Sequence, residues 1–256
     1  MRVYVINLDR HTQRLARMHD VLGDVDFERI AAVEAACTGG PEHRHKLPLR
    51  FEDMTRFERA CAASHAAAWQ KLLESGASHA CILEDDVLLS PDFSVFMADA
   101  GWVPEGCDVV KIETFAKKAM ISRQLQPCRG RGLGRLYSTH LGAAGYVLSR
   151  QGAQKMLAHA ARPARPVDHL LFDVPAIVEG LSVLQLDPAL CMQLQKATHG
   201  QPEGEFQSSI QTSKDLAAKR TLPQKLAWEI TRPWRQLMDF LQQWRKRASL
   251  RGIKFR

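Results

Sequence analysis

Ala80-Cys81-Ile82-Leu83-Glu84-Asp85-Asp86-Val87 passes from a run of apolar residues directly into three acids. The apolar run has strand length and no polar face, so it reads as a strand buried on both sides, in the middle of a sheet. The acids then stand at its carboxyl end, which is where open α/β sheets bind ligands. Adjacent carboxylates repel one another and resist burial, so a folded cleft tolerates them only with a cation or with hydrogen bonds. Oxygen-only ligands suit a hard divalent ion, Mg2+ or Mn2+, which keeps some waters and also takes substrate phosphate oxygens. A diphosphate is the implied partner. The competing reading, an acidic surface turn, is opposed by the apolar residues on both sides of the triplet.

Outward from this strand, strand and helix signals alternate, which predicts an α/β fold with a central, mostly parallel sheet flanked by helices. Val3 to Leu8 reads as a buried first strand, Thr12 to Met18 as a helix, and Phe27 to Ile30 as a short strand. Gly39 to Pro48 reads as a loop. A helix follows from Met54 to Leu73, with a small-residue face (Ala60, Ala63, Ser64, Ala67, Ala68) and Trp69 as a large anchor, and Gly76 at its end. Asp108 to Ile112 is a further strand. The Gly- and Arg-rich stretch Cys128 to Arg135 is expected to be the most mobile loop of the body. Arg135 to His140 and Ala144 to Ser149 read as short strands, and a helix runs from Arg150 through Leu157.

The charge is unevenly placed. The 256 residues carry a net +7, but residues 213–256 hold twelve Lys/Arg against three acids, so residues 1–212 sit at −2. This predicts a catalytic body over 1–212 and a basic amphipathic helical tail over 213–256. In the tail, Leu226, Ile230, Trp234, Leu237, Leu241 and Trp244 recur as one helical stripe flanked by basic residues, suited to an anionic membrane surface. Packing of the stripe on the body itself is the competing reading. No apolar stretch is long enough to span a bilayer and no signal peptide is recognisable, so the expected location is cytoplasmic, peripheral on the inner face of the inner membrane. Six scattered cysteines without a C-x-x-C pair indicate neither a zinc cage nor a disulfide framework.

Nucleic-acid binding, suggested by the pI of about 9.2, is opposed by the −2 body, and none is expected. A metal-dependent nucleotide-sugar hydrolase is the other alternative, opposed by the lack of a second His/Asp metal cluster. A P-loop is absent.

Five segments in series carry a family resemblance: Val5 to Arg10 with Arg14; Glu58 to His65 with Trp69; Ile82 to Val87; Gly142 to Ser149 with Gly152-Ala153; and Pro188-x-Leu190-x-x-Gln193 followed by Ser208-Ser209-Ile210. Together they resemble glycosyltransferase family 25, over about residues 1 to 210. The family includes lipooligosaccharide galactosyltransferases and collagen galactosyltransferases. The resemblance implies a GT-A-like fold, a UDP-sugar donor, a divalent metal, inversion at the anomeric carbon, and a glycan or glycolipid acceptor, with galactose the sugar moved. It implies that Glu84 and Asp86 hold the metal, Asp86 most directly, and that Asp85 contacts donor ribose or sugar. Val5, Asn7 and Leu8 would meet uracil and ribose, with Arg14 near the diphosphate. Two departures stand out: Glu-Asp-Asp replaces the common Asp-x-Asp, and Arg59-Ala60 replaces the family's Ile-Gly.

For the general base that must take the acceptor proton, the candidate is Asp168 in Pro166-Val167-Asp168-His169, with Asp173 second. The alternative for Asp168 is a helix N-cap. His65 reads as a packed or donor-contacting histidine, because its neighbour Ser64 points about 100° away on a helix. His199 would close the metal shell, or else sit exposed in its loop.

Overall fold

The computed structural model describes residues 1–38, 54–159, 165–173, 180–197 and 247–256. Its strands are β1 (Arg2–Asn7), β2 (Glu28–Ala31), β3 (His79–Glu84), β4 (Val87–Leu89), β5 (Val109–Lys111), β6 (Lys118–Ser122), β7 (Gln126–Cys128), β8 (Arg131–Arg135), β9 (Gly145–Ser149), β10 (Val183–Asp187), β11 (Cys191–Gln193) and β12 (Ala248–Gly252). The α-helices are α1 (Thr12–Leu22), α2 (Arg56–Glu74), α3 (Phe93–Met97), α4 (Arg150–His159), α5 (Val167–Phe172) and α6 (Leu194–Ala197).

Eight strands form the main sheet in the order β2-β1-β3-β9-β5-β10-β8-β7. Side-chain alternation along the central strands feeds two cores. Tyr4, Ile6, Ile82 and Tyr146 pack with Trp69 and Leu72 of α2 and Met156 of α4 on one face. Val3, Val5, Leu83 and Val147 pack with Met18 of α1 and with Phe96 and Trp102 on the other. The helix beginning at Arg56 is fixed by a capping box: Thr55 Oγ1 accepts from Glu58 N, and Glu58 Oε2 accepts from Thr55 N. Gly76, at φ +72°, lets the chain turn back into β3.

The α/β class holds, but the sheet is mixed rather than mostly parallel. β1 pairs in parallel with β2 and β3, and β5 with β10. β9 runs antiparallel between β3 and β5, and β8 and β7 continue antiparallel at the far side. The apolar strand residues carry no sign of direction, so an antiparallel strand in a sheet covered on both faces reads like a parallel one.

The predicted mobile loop over Cys128 to Arg135 is a β-hairpin. Arg129 and Gly130 form its turn, both at positive φ, as tight hairpin turns require. Gly132 and Gly134 are small because Leu125 lies on them: a Cβ at either would come within 2.7 Å of its side chain. Arg131 is buried, donating to the carbonyls of Pro188, Ala189 and Arg256, to Ser90 Oγ and to Asp92. The strand expected over Arg135 to His140 ends at Arg135, with one further bridge between Leu136 and Ile121.

Of the expected helical tail, residues 247–256 are described, and they are not helical. β12 pairs with β6 in antiparallel register, Ile253 is fully buried, and Thr114 Oγ1 donates to Ile253 O at 2.8 Å. The apolar stripe from Leu226 to Trp244 lies outside the described residues, as do the loop Gly39 to Pro48 and Ser208-Ser209-Ile210. No helix among the described residues is long and apolar enough to cross a membrane.

Candidate functional site

β1 and β3 are parallel neighbours, with Ile6 opposite Glu84, so both carboxyl ends open on one side of the sheet. The three acids leave β3 there and take different partners. Asp85 is buried: its Oδ2 accepts from Asn7 Nδ2 at 2.7 Å and its Oδ1 from Arg14 Nη1 at 3.0 Å. Asn7 is held in turn by Arg29, whose Nε donates to Asn7 Oδ1 at 3.0 Å.

Glu84 turns toward α2. His65 Nε2 lies 3.5 Å from its Oε1, and Gln193 Nε2 donates to its Oε2 at 3.2 Å. Gln193 reaches it because β11 pairs with β4, setting Gln193 opposite Val87. Burial pushes the Glu84 carboxyl up, but hydrogen bonding and electrostatics from His65, with Gln193 and Arg14, outweigh it and hold the group below the usual range. Behind His65, Trp69 Nε1 donates to Tyr146 Oη at 2.8 Å, and Tyr146 Oη lies 2.8 Å from His65 Nδ1. Burial keeps the tyrosine protonated. Its proton therefore goes to Nδ1, which leaves Nε2–H to face Glu84.

Asp86 differs from both. It is buried and its Oδ1 has no hydrogen-bond partner. Burial, then the charges of Glu84 and Asp85, push its pKa up to about 7. An orphaned oxygen on a carboxylate disfavoured by its like-charged neighbours fits a cation, and Glu84 is the second carboxylate at hand.

A pocket lies against these acids, lined by Ile6, Leu8 and Arg14 on one side and by Phe57, Cys61 and His65 of α2 on the other. Of the residues named from sequence, Leu8, Arg14, His65, Glu84, Asp85 and Asp86 are brought together here. Val5 is not: alternation along β1 turns its side chain into the opposite core. Asn7 stands behind Asp85 rather than at the pocket wall. His199 lies outside the described residues.

Asp168 sits in the first turn of α5, half-buried, and Pro166 rather than Asp168 is the N-cap. Its Oδ1 accepts from His169 N at 3.0 Å and its Oδ2 from Gly142 N at 3.4 Å. Its charge reaches Cys61, whose thiol is pushed well up by burial and then by Glu84 and Asp168. Asp173 is tied to Thr139 Oγ1 at 2.5 Å and to His169 Nδ1 at 3.0 Å.

Sequence reasoning missed three features. His11 lines the pocket, with Nδ1 4.0 Å from Asp85 Oδ2. Arg17 Nη2 donates to Val87 O at 2.9 Å, beside the acids. Lys111 and Glu113, both fully buried, form an ion pair at 3.1 Å under the loop 139–144. Glu113 Oε2 also accepts from Ala144 N, and Lys111 Nζ donates to Gly142 O. The signal for that pair was present: a lysine and a glutamate flank Ile112 at the end of an otherwise apolar strand.

Fold and site together define an α/β protein with an acidic cleft at the carboxyl ends of parallel strands. The chain belongs to glycosyltransferase family 25 (LPS biosynthesis protein), whose model matches residues 1–171. It is 38% identical over 146 residues to the lacto-N-neotetraose biosynthesis glycosyltransferase LgtB of Neisseria gonorrhoeae, covering 53% of this chain and 52% of that protein. It is 30% identical over 207 residues to LgtE of the same organism, covering 75% and 74%. The lipooligosaccharide biosynthesis protein lex-1 of Haemophilus influenzae is 28% identical over 186 residues, covering 68% and 62%. In the LgtB match and in that to LgtE of Neisseria meningitidis, the chain spans about half the length of the relative.

Proposed function

We propose that this chain transfers a sugar, galactose, from a UDP-sugar to a cell-surface glycan such as a lipooligosaccharide or LPS core, with inversion and with a divalent cation, Mn2+ or Mg2+. The observation that carries this reading is Asp86: a buried carboxylate with an unpartnered oxygen at the mouth of a pocket, in a chain of this family. Asp86 and Glu84 would hold the cation, which supplies positive charge against the departing diphosphate. The chain's own residues do the rest. Arg14, anchored on Asp85, faces the same diphosphate, while Leu8 and Phe57 give the pocket apolar walls for the nucleoside. Asp168 takes the proton of the acceptor hydroxyl. The stripe from Leu226 to Trp244 brings the enzyme to an anionic bilayer, where a lipid-linked acceptor is met.

The test is a thermal-shift series with UDP-galactose, UDP-glucose and UDP-N-acetylglucosamine, with and without Mn2+. A ligand that binds only the native state raises the unfolding free energy by RT ln(1 + [L]/Kd), about 2.7 kcal/mol at one hundred times Kd, and the midpoint rises with it. Stabilisation that needs both the cation and one UDP-sugar, and that Asp86→Asn removes, is the expected outcome. No stabilisation by any of the three donors with Mn2+ or Mg2+ present would end this reading.

A further inference from the structure

Cys61 and His65 lie four residues apart on α2, so both face the same way, toward Glu84. Cys61 Sγ is 4.0 Å and His65 Nε2 3.5 Å from the same oxygen, Oε1. Both separations are at the long limit for hydrogen bonds. They are close to the edges of a coordination tetrahedron: with metal distances of about 2.0 Å to N or O and about 2.3 Å to S, the N···O edge is about 3.3 Å and the S···O edge about 3.5 Å. The three ligand atoms all lie within 4.8 Å of one another, the one such group among the described residues. The His65 ring is already fixed from behind by Tyr146 and Trp69, the kind of outer-shell support that metal-ligating histidines have.

We propose that Cys61, His65 and Glu84 form a second metal site, for a thiophilic divalent ion such as zinc, beside the hard-cation position at Asp86. A thiol and an imidazole select zinc over magnesium or manganese. On binding, the Cys61 thiol releases its proton to solvent and its sulfur bonds the metal. His65 changes tautomer, so that Nε2 is the ligand and Nδ1–H is donated to Tyr146 Oη. Glu84 contributes Oε1, and the fourth position opens to the pocket for water or an anionic oxygen. Zinc here takes a carboxylate that the hard cation shares, so its occupancy opposes metal-dependent donor binding; that consequence, though not the site, rests on the function proposed above.

The experiment uses the full chain, stripped of metal, with Co2+ alone and no donor. A sulfur-to-cobalt charge-transfer band and intense tetrahedral visible bands should saturate at one equivalent and vanish on adding zinc. Cys61→Ser should lose the sulfur band, and its zinc affinity should fall by more than the roughly 10–100-fold that losing an outer-shell partner costs. Zinc-edge X-ray absorption on the unaltered chain, independent of how the variant folds, should show one sulfur at about 2.3 Å with N/O ligands at about 2.0–2.1 Å. A weak octahedral cobalt spectrum, a zinc shell without sulfur, or a sulfur band that survives in Cys61→Ser overturns the assignment. A sulfur-bearing shell in a chain that binds no UDP-sugar leaves the zinc site standing and removes only the transferase reading.

Discussion

Lys111→Met tests how much of the site's support rests on one buried charge. Lys111 and Glu113 are both fully excluded from solvent, and the ammonium sits 3.1 Å from Glu113 Oε2 and 4.1 Å from the centre of the Phe172 ring, with Gly142 O as a further acceptor. Removing the cation leaves Glu113 buried, with Ala144 N as the partner of Oε2, none on Oε1, and the charge of Glu84 opposing it. Breaking a buried pair from one side costs about 3–5 kcal/mol. In a chain of this size that lowers the thermal midpoint by roughly 6–20 °C. Burial already holds the Glu113 carboxyl above its usual range. Without Lys111 its folded pKa rises further, so the folded variant binds a proton that the unfolded chain does not, and the deficit shrinks as pH falls toward the ordinary carboxylate range. Lys111→Met/Glu113→Gln removes both charges and should recover at least half of the loss. The assay is urea unfolding of the three proteins at pH 5 and pH 8. A single variant within about 1 kcal/mol of the parent, or a double variant no better than the single, would refute the claim that this pair braces the loop 139–144.

Burial, with the charges of Glu84 and Asp85, pushes the folded pKa of Asp86 up to about 7, above the ordinary carboxylate range. Its contribution to stability is therefore fully present below the unfolded value and is lost as pH rises from about 4 to 7. Asp86→Asn should abolish that loss in a metal-free pH series of melting curves. Because cation binding must displace the same proton, Mn2+ affinity should weaken about tenfold per pH unit below 7, and a flat isothermal-titration series would contradict this. Asp168→Asn should cut the transfer rate by roughly 100-fold or more while leaving donor-dependent thermal shifts intact; full turnover in that variant would exclude Asp168 as the base. Ile253→Ala should cost about 2–5 kcal/mol because the side chain is fully buried, whereas a peripheral tail would register no change in urea midpoint. Removing 224–246 while keeping β12 is accordingly the deletion that tests membrane attachment, read by co-sedimentation with anionic vesicles.

Much of this was written locally. The apolar runs of β1 and β3, the acids that end β3 and the small-residue face of α2 each depend on neighbours a few positions away, and each lies where the sequence reading put it. What escaped depends on distant partners. Asn7 and Arg14 meet Asp85 across 78 and 71 residues, and nothing local announces that the middle acid is the neutralised one. The glycines of β8 read as mobility because their cause, Leu125 lying on the strand, is a packing contact. β12 was hidden by composition: its basic neighbours suggested an amphipathic, membrane-facing helical tail, while Ile253 and the register with β6 decide where it goes.

The three acids are chemically alike in sequence and unlike in the fold, and the difference is a matter of which charge is already answered. Asp85 has a guanidinium and an amide, one on each oxygen. Glu84 has an imidazole and a carboxamide, again one on each oxygen. Arg17 lies near enough for Asp86 to raise its pKa, yet its Nη2 donates to the backbone carbonyl of Val87, and burial lowers the pKa overall. The positive charge of α1 therefore steadies the triplet without closing it. A divalent ion entering this cleft would meet Asp86 as the acid with most to gain and Glu84 as one that can turn either way. Toward Asp86 it completes an all-oxygen set; toward Cys61 and His65 it completes a softer one. Which way Glu84 turned would then be set by the identity of the metal, and its Oε1 already lies 3.5 Å from His65 and 4.0 Å from Cys61.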